Sequence, residues 1–268
     1  MQNHADSKAA ERTAKVTTFI DRRRETVVAR GVFDNLFSAY LGHAKKLSIL
    51  PGEGARPMMR DFLAAATLYL AVHPPDEFAA WTLNTGEPPQ NFFCAGDNSG
   101  FRVTGRVYTR NVKSGDSNRL FHESQRPRFE PVRSTLDVGQ AGVLDAFEMF
   151  FSRSVQTPSR LFDVEGLGHV LIQGLPNVDR QWLEALDTAA AERYAAGKLE
   201  PIEERRYRFA CGCNPAKILD VVRAMYKSRA DELFAGEDKV EVSCPRCGKR
   251  YWLTRDDFDS APGSVGAA

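Results

Sequence analysis

No apolar run in this 268-residue chain reaches the roughly 20 residues that a helix needs to cross a bilayer, which argues against a helical membrane protein. The opening MQNHADSKAAERTAK is polar and lacks a signal-peptide core, so a cytoplasmic, reducing setting is expected. Charge of one sign is also missing. The 36 Lys and Arg against 35 Asp and Glu leave a formal +1, with no general pull towards nucleic acid or an anionic membrane. No phosphate loop, serine nucleophile elbow or HExxH pair occurs, and the chain is not expected to be an enzyme. Internal repeats and low-complexity tracts are absent too. What remains is the composition of a water-soluble globular protein, long enough for one good core and a smaller appendage.

Cysteine is scarce, but its placement is informative. Four of the five cysteines form two tight pairs, Cys211-Gly-Cys213 and Cys244-Pro-Arg-Cys247, separated by 30 residues. Cys211, Cys213, Cys244 and Cys247 supply the four thiolates that a tetrahedral zinc ion requires. Pro245 stiffens the second knuckle, and Gly248 suits a left-handed turn after the last sulfur. Between the pairs, Asn214 and Pro215 predict the start of a helix whose apolar face carries Ile218, Leu219, Val222 and Phe234. Strands are predicted over Lys239–Ser243 and Tyr251–Thr254. So small a module buries too little apolar surface to fold reliably alone. Structural zinc contributes about 10–16 kcal/mol in small sites, against about 5–15 kcal/mol for a typical domain. Loss of the ion is therefore expected to unfold this region. With no protein ligand position left open, hydrolytic zinc is not expected.

The same sulfurs permit a switch, since thiolates oxidise more readily than thiols and each short pair can close a disulfide. Arg205, Arg206, Arg208, Lys217, Arg246, Lys249 and Arg250 either offset a negative metal–thiolate core or are ordinary solvated charges. Nearby Glu200, Glu203, Glu204, Asp256, Asp257 and Asp259 weaken the case for phosphate contacts.

Upstream, Val16–Ile20 and Thr26–Ala29 read as a hairpin, and helices are predicted at Asp34–Leu47 and Pro57–Val72. His43 and His73 have only surface or cap roles. Strands follow at Phe78–Leu83, Phe92–Cys94 and Phe101–Tyr108, with Cys94 a small core hydrophobe. Asn111–Arg128 reads as a polar surface excursion, Val132–Leu136 as a strand and Gln140–Phe151 as an amphipathic helix. Asp179–Ala195 reads as one helix ended by Gly197, and Lys198–Arg208 as a charged linker. The expected class is α+β. Residues 15–178 would be a mixed α/β core, 179–209 a helical, charged linker, and 210–259 a zinc-binding domain of helix and β-hairpin. Tails at 1–14 and 260–268 are expected to be disordered.

The CxC-x30-CxxC arrangement, its intervening helix and Tyr251-Trp252 resemble the heat shock protein 33 family of redox-regulated chaperones. FFSRSVQTPSRLF, GHVLIQGLP and, more diffusely, Arg30-Gly31 and GFRVTGRV extend the resemblance over nearly the whole chain. The resemblance implies an ATP-independent holdase for unfolding client proteins, dimeric when active. It implies zinc on the four cysteines when reduced, and Cys211–Cys213 and Cys244–Cys247 disulfides with zinc release when oxidised. Two features depart from that family's pattern. Val155 stands where it has a glutamate, and the Gly197–Cys211 tract is shorter than its linker, which implies different regulation or a more constitutive activity. The competing readings are a zinc ribbon that binds RNA or a protein partner without redox control, and a thiol–disulfide oxidoreductase. The CxxC does not follow a thioredoxin-like βα unit, which argues against the latter.

Overall fold

The computed structural model describes residues 12–113 and 115–259, which divide into two compact units, one ending at Ala210 and the other beginning at Cys211. Residues 1–11 of the tail expected at 1–14, and the tail expected at 260–268, lie outside the described residues. Among those described, no helix is long and apolar enough to cross a membrane.

The first unit is a ten-stranded sheet with helices packed on it. Its elements in order are β1 (Thr13–Asp21), β2 (Thr26–Gly31), α1 (Asp34–Lys46), α2 (Ala55–Ala71), β3 (Phe78–Thr85), β4 (Gln90–Asp97) and β5 (Arg102–Tyr108). There follow β6 (Asn118–Gln125), β7 (Val132–Gly139), α3 (Val143–Arg153), β8 (Ser159–Val164) and β9 (Gly168–Gly174). Two short helices, α4 (Arg180–Glu184) and α5 (Thr188–Ala195), then precede β10 (Glu200–Phe209). The strand order is β7-β6-β3-β4-β5-β10-β1-β2-β9-β8, antiparallel except where β10 meets β5.

One face of the sheet carries α1 to α3 over a core that includes Phe62, Leu63, Trp81, Phe92 and Phe147. At the β2–β9–β8 end a second cluster, with Val28, Val170, Ile172, Leu183 and Ala191, lies under α4 and α5. Strand β9 is thus buried on both faces, which explains its continuous apolar run. Here two of the quoted phrases meet. Gly168, at φ +76°, sits so close to the carbonyl of Gly31 that a Cβ would approach to 2.4 Å, so neither strand end tolerates a bulkier partner. In the α3–β8 corner, Glu148 accepts the amide of Leu161 at 2.6 Å and Arg160 Nε at 3.1 Å.

Four expectations need correction. Strand β1 starts at Thr13, inside the expected tail, because Ala14 is fully buried. Strand β6 replaces much of the expected surface excursion. Its inward positions are Asn118, Leu120 and His122, so the apolar alternation that marks a strand is nearly absent. The helix expected over Asp179–Ala195 is two, because Asp187 caps a new start by accepting the amide of Ala190 at 2.7 Å. Most consequentially, residues 200–209 of the expected linker form β10 in the interior of the sheet, paired to β1 over most of its length. Its outward charges find opposite charges on β1 and its turn, Lys15–Glu204 at 3.0 Å and Arg22–Glu200 at 3.4 Å.

The inward side of β10 locks the end of α2. The Arg205 guanidinium donates to the carbonyls of Leu70 and His73, both at 3.0 Å, and pairs with Glu203 at 2.8 Å. Tyr207 Oη donates to Asn98 Oδ1 at 2.7 Å, while Asn98 Nδ2 donates to Leu70 and Pro74 carbonyls. Leu70 lies in the last turn of α2, where carbonyls lack intrahelical partners, and His73 and Pro74 follow it in the chain. His73 also takes the expected cap role, with Nδ1 2.7 Å from the Tyr69 carbonyl and its ring stacked on Tyr69. Cys94 is fully buried, a core residue as read.

Truncating Arg205 leaves those carbonyls and Glu203 short of a charged donor. Arg205→Ala is expected to destabilise the first unit by about 2–4 kcal/mol, read as a lower urea midpoint, whereas Glu203→Gln at the exposed end costs less. Burial also depresses two histidines. Desolvation holds His122 at about 4, against 6.5 ordinarily, and does the same to His73, where Arg205 adds to it. A depressed histidine contributes stability that is complete above its unfolded value and lost as pH falls through its folded one. Stability is therefore expected to drop between about pH 6.5 and 4, by about 3 kcal/mol for His122 at full protonation. Thermal midpoints across that range, flatter in His122→Phe, check this.

Candidate metal centre

The second unit is built around the cysteine pairs. Cys211 and Cys213 precede α6 (Pro215–Phe234), where Asn214 accepts the amide of Lys217 at 2.9 Å and Pro215 fills the first turn, as the sequence predicts. The helix kinks at Arg229 and closes through left-handed Ala235, followed by Gly236 at φ +86°. A hairpin of β11 (Lys239–Ser243) and β12 (Arg250–Thr254) follows, then a short helix, α7 (Arg255–Asp259).

Cys244 and Cys247 lie in the tight turn of that hairpin. The Cys244 amide donates to the Lys249 carbonyl at 2.8 Å, and the Gly248 amide donates to the Cys244 carbonyl at 2.9 Å. Gly248 has φ +78°, the left-handed geometry its position calls for. Around the turn pack Ile218, Leu219, Phe234, Tyr251, Leu253 and Phe258, a core of modest size. Phe258 on α7 stacks on Tyr226 at 4.3 Å. The final apolar wedge comes from a segment that reads in sequence as an acidic run.

The four sulfurs converge. Their Sγ atoms all lie within 4.8 Å of one another, with Cys211–Cys244 at 3.9 Å and Cys213–Cys247 at 3.6 Å. Zinc–sulfur bonds of about 2.3 Å in a tetrahedron set sulfurs about 3.8 Å apart, whereas a disulfide needs about 2.05 Å. None of the five cysteines is in a disulfide, and these four stand at metal-ligand spacing. Cys244 and Cys247 are buried, and Cys211 and Cys213 half-buried.

Electrostatics point the same way. The hydrogen bond shared with Cys244 pushes the Cys211 thiol up to about 12, and Cys247 is raised by its bonds to Cys211 and Cys244. Cys244 is driven down by accepting from both. Sulfurs this crowded share protons, and only a cation lets all four be thiolates together. Local donors assist. Cys244 Sγ accepts the amides of Cys247 and Arg246, Cys247 Sγ that of Lys249, and Cys211 Sγ that of Cys213. Tyr251 Oη donates to Cys213 Sγ at 3.1 Å.

The arginines weighed as counter-charges largely serve elsewhere. Arg205 and Arg206 pair with Glu203 and Glu204, and Arg250 lies 3.6 Å from Glu241. Lys249 sits over the Tyr251 ring at 5.1 Å. A second ligand-rich cluster, Asp61, Asp163 and His169 in the first unit, already has its cation in Arg60, which pairs with both aspartates. His169 Nε2 lies 3.0 Å from Asp61 Oδ1, so this cluster ties α2 to the β8–β9 hairpin.

The sequence model of a family described as "Hsp33 protein" matches residues 119–254, just over half of the chain and inclusive of all four clustered cysteines. The chain belongs to the Hsp33 family. Among curated relatives, the 33 kDa chaperonin of Geobacter sp. (strain M21) is 26% identical over 159 residues, 48% of this chain and 54% of that one. The 33 kDa chaperonin of Aliivibrio salmonicida is 30% identical over 142 residues, 43% of this chain and 47% of the relative. The chain thus spans about half the length of the curated relatives it matches. The crystal structure of the 33 kDa chaperonin (heat shock protein 33 homolog) of Thermotoga maritima shares the fold. The TM-score is 0.65 at 14% identity, covering 93% of this chain and 97% of that one.

The turn geometry generates a test. Gly248→Ala puts a Cβ on left-handed backbone at a cost of about 1 kcal/mol, which coupled folding passes on as about fivefold weaker metal retention. Competition between the protein and a chromogenic chelator for Co2+ measures it.

Proposed function

We propose that this chain is an ATP-independent holdase chaperone, switched by thiol oxidation, that binds unfolding proteins under oxidative stress. The observation that carries this reading is the set of four sulfurs converging at metal-ligand spacing in a member of a family whose matched relatives are named chaperonins. In the reduced state Cys211, Cys213, Cys244 and Cys247 hold one zinc ion, which supplies folding energy rather than hydrolysis, since the protein fills all four positions. In the oxidised state Cys211 joins Cys213 and Cys244 joins Cys247. Family membership supports that pairing, while the distances alone favour neither it nor another. Two peroxide molecules would take four electrons from four thiolates, leaving two disulfides and four hydroxide ions, with the metal released.

The second unit then loses the energy that holds its small core, and apolar side chains become available to unfolded clients. The active form is a homodimer in the cytoplasm, with no catalytic turnover. Residues 200–209 belong to the sheet rather than to a free linker, which supports a switch confined to residues after Cys211. This bears on the short Gly197–Cys211 tract: regulation here would not depend on unfolding a long linker.

Zinc content and free thiols, counted together before and after peroxide with mild heat, test the proposal. Reduced protein should carry one zinc and, once denatured for the thiol count, five titratable thiols per chain. Oxidation should remove the zinc and four thiols, and the product should suppress aggregation of an unfolded test protein. Metal-free reduced protein, or aggregation unchanged by oxidised and reduced forms alike, would overturn the reading.

A further inference from the structure

Resting on the zinc reading above, we propose that Tyr251 is a positioning residue that sets the reactivity of Cys213 through its hydroxyl–sulfur hydrogen bond. Tyr251 stands on β12, 93% buried, and its Oη reaches Cys213 Sγ at 3.1 Å, within the range of an O–H···S bond. The ring is held from two sides. It belongs to the core with Ile218, Leu219 and Phe258, and Lys249 Nζ covers it at 5.1 Å. The hydroxyl is thus delivered to the sulfur by packing, not by chance rotation.

Cys213 has a donor from outside its own turn. Cys211, Cys244 and Cys247 take amide hydrogens from their own turns, a feature of the backbone that any residue there would supply. Cys213 takes a side-chain hydroxyl from a strand 38 positions away. It is also one of the two half-buried sulfurs, the pair open to a small oxidant. A hydroxyl donated to a thiolate spreads its charge and lowers the energy of its lone pair, so the sulfur attacks an electrophile more slowly. In the step concerned, the Cys213 thiolate attacks hydrogen peroxide. An S–O bond forms, the O–O bond breaks and hydroxide leaves, with sulfur oxidised and peroxide reduced by two electrons. A neighbouring thiolate then displaces hydroxide from the sulfenic acid to close a disulfide. Tyr251 acts as a brake on the first of these events, with the ligand set unchanged.

Full-length Tyr251→Phe, which keeps the ring and removes the hydroxyl, tests this against a chain carrying a fluorinated tyrosine at 251, a stronger donor. Metal release under peroxide is expected to be about fivefold faster in Tyr251→Phe, from loss of a hydrogen bond to a charged sulfur, and slower in the fluorinated chain. With Co2+ in the site, the sulfur-to-metal charge-transfer band should move to lower energy in Tyr251→Phe and to higher energy in the fluorinated chain. A purely structural role for the ring would move neither band. If Tyr251→Phe fails to fold, the fluorinated chain alone decides the matter. Wild-type rates and bands in the variants, with one metal still bound per chain, would overturn the role of Tyr251 and leave the zinc reading intact. A wild-type chain that binds neither Zn2+ nor Co2+ would instead sink the zinc reading itself.

Discussion

Four sulfur atoms brought within 4.8 Å of one another are the constraint on which the second unit depends, because as thiolates they need a cation to stay together. Protonated, they crowd and share hydrogens. Ionised, they repel at separations that fall to 3.9 and 3.6 Å for Cys211–Cys244 and Cys213–Cys247. Everything in the second unit is arranged to tolerate this crowding. A capped helix start fixes the first pair, a glycine turn fixes the second, and backbone amides plus one tyrosine hydroxyl are aimed at the sulfurs. The apolar cluster around them is too small to hold the segment by burial alone, so the proposed metal and the fold are one thermodynamic object. That coupling is what would let a chemical event at sulfur be read as a change in shape.

The first unit solves a different problem. Its sheet has two halves, and β10 lies between β5 and β1 as the strand that joins them. The strand is highly charged, yet it is placed in the sheet interior because its charges face outward to partners while Arg205 and Tyr207 reach inward. Arg205 donates to the carbonyls at the end of α2, and Tyr207 holds the Asn98 that donates there beside it, a demand that would otherwise fall on water in a buried place. A polar strand is thus held by what it satisfies rather than by what it hides. Clusters on both faces of β9 and the Gly31–Gly168 contact anchor the opposite edge.

Much of the architecture was legible along the chain. The hairpin of β1 and β2, helices α1 to α3, strands β3 to β5 and the helix–hairpin tail follow from apolar spacing and turn residues. Two of the misses, β6 and β10, share one cause. In β6 the inward positions are Asn118, Leu120 and His122, and in β10 they are Arg205 and Tyr207, so period-two alternation of apolar residues never appears. Polar side chains at inward positions are chosen for partners distant in sequence, and a local pattern contains no record of those partners. Asp187 was a different kind of miss, an acidic residue read as helix interior whose carboxylate in fact begins a new helix.

By itself the sequence determined the proposed ligand set: two tight cysteine pairs that could hold a metal once they meet, with Asn214, Pro215 and Gly248 placed to make them meet. Those are local facts, decided by covalent spacing and backbone preference. Only the tertiary structure decided that a charged tract becomes a strand in the sheet interior, and that Tyr251 aims its hydroxyl at Cys213 from 38 residues away. Both depend on groups far apart in the chain finding complementary partners, and that information exists only once the chain has folded.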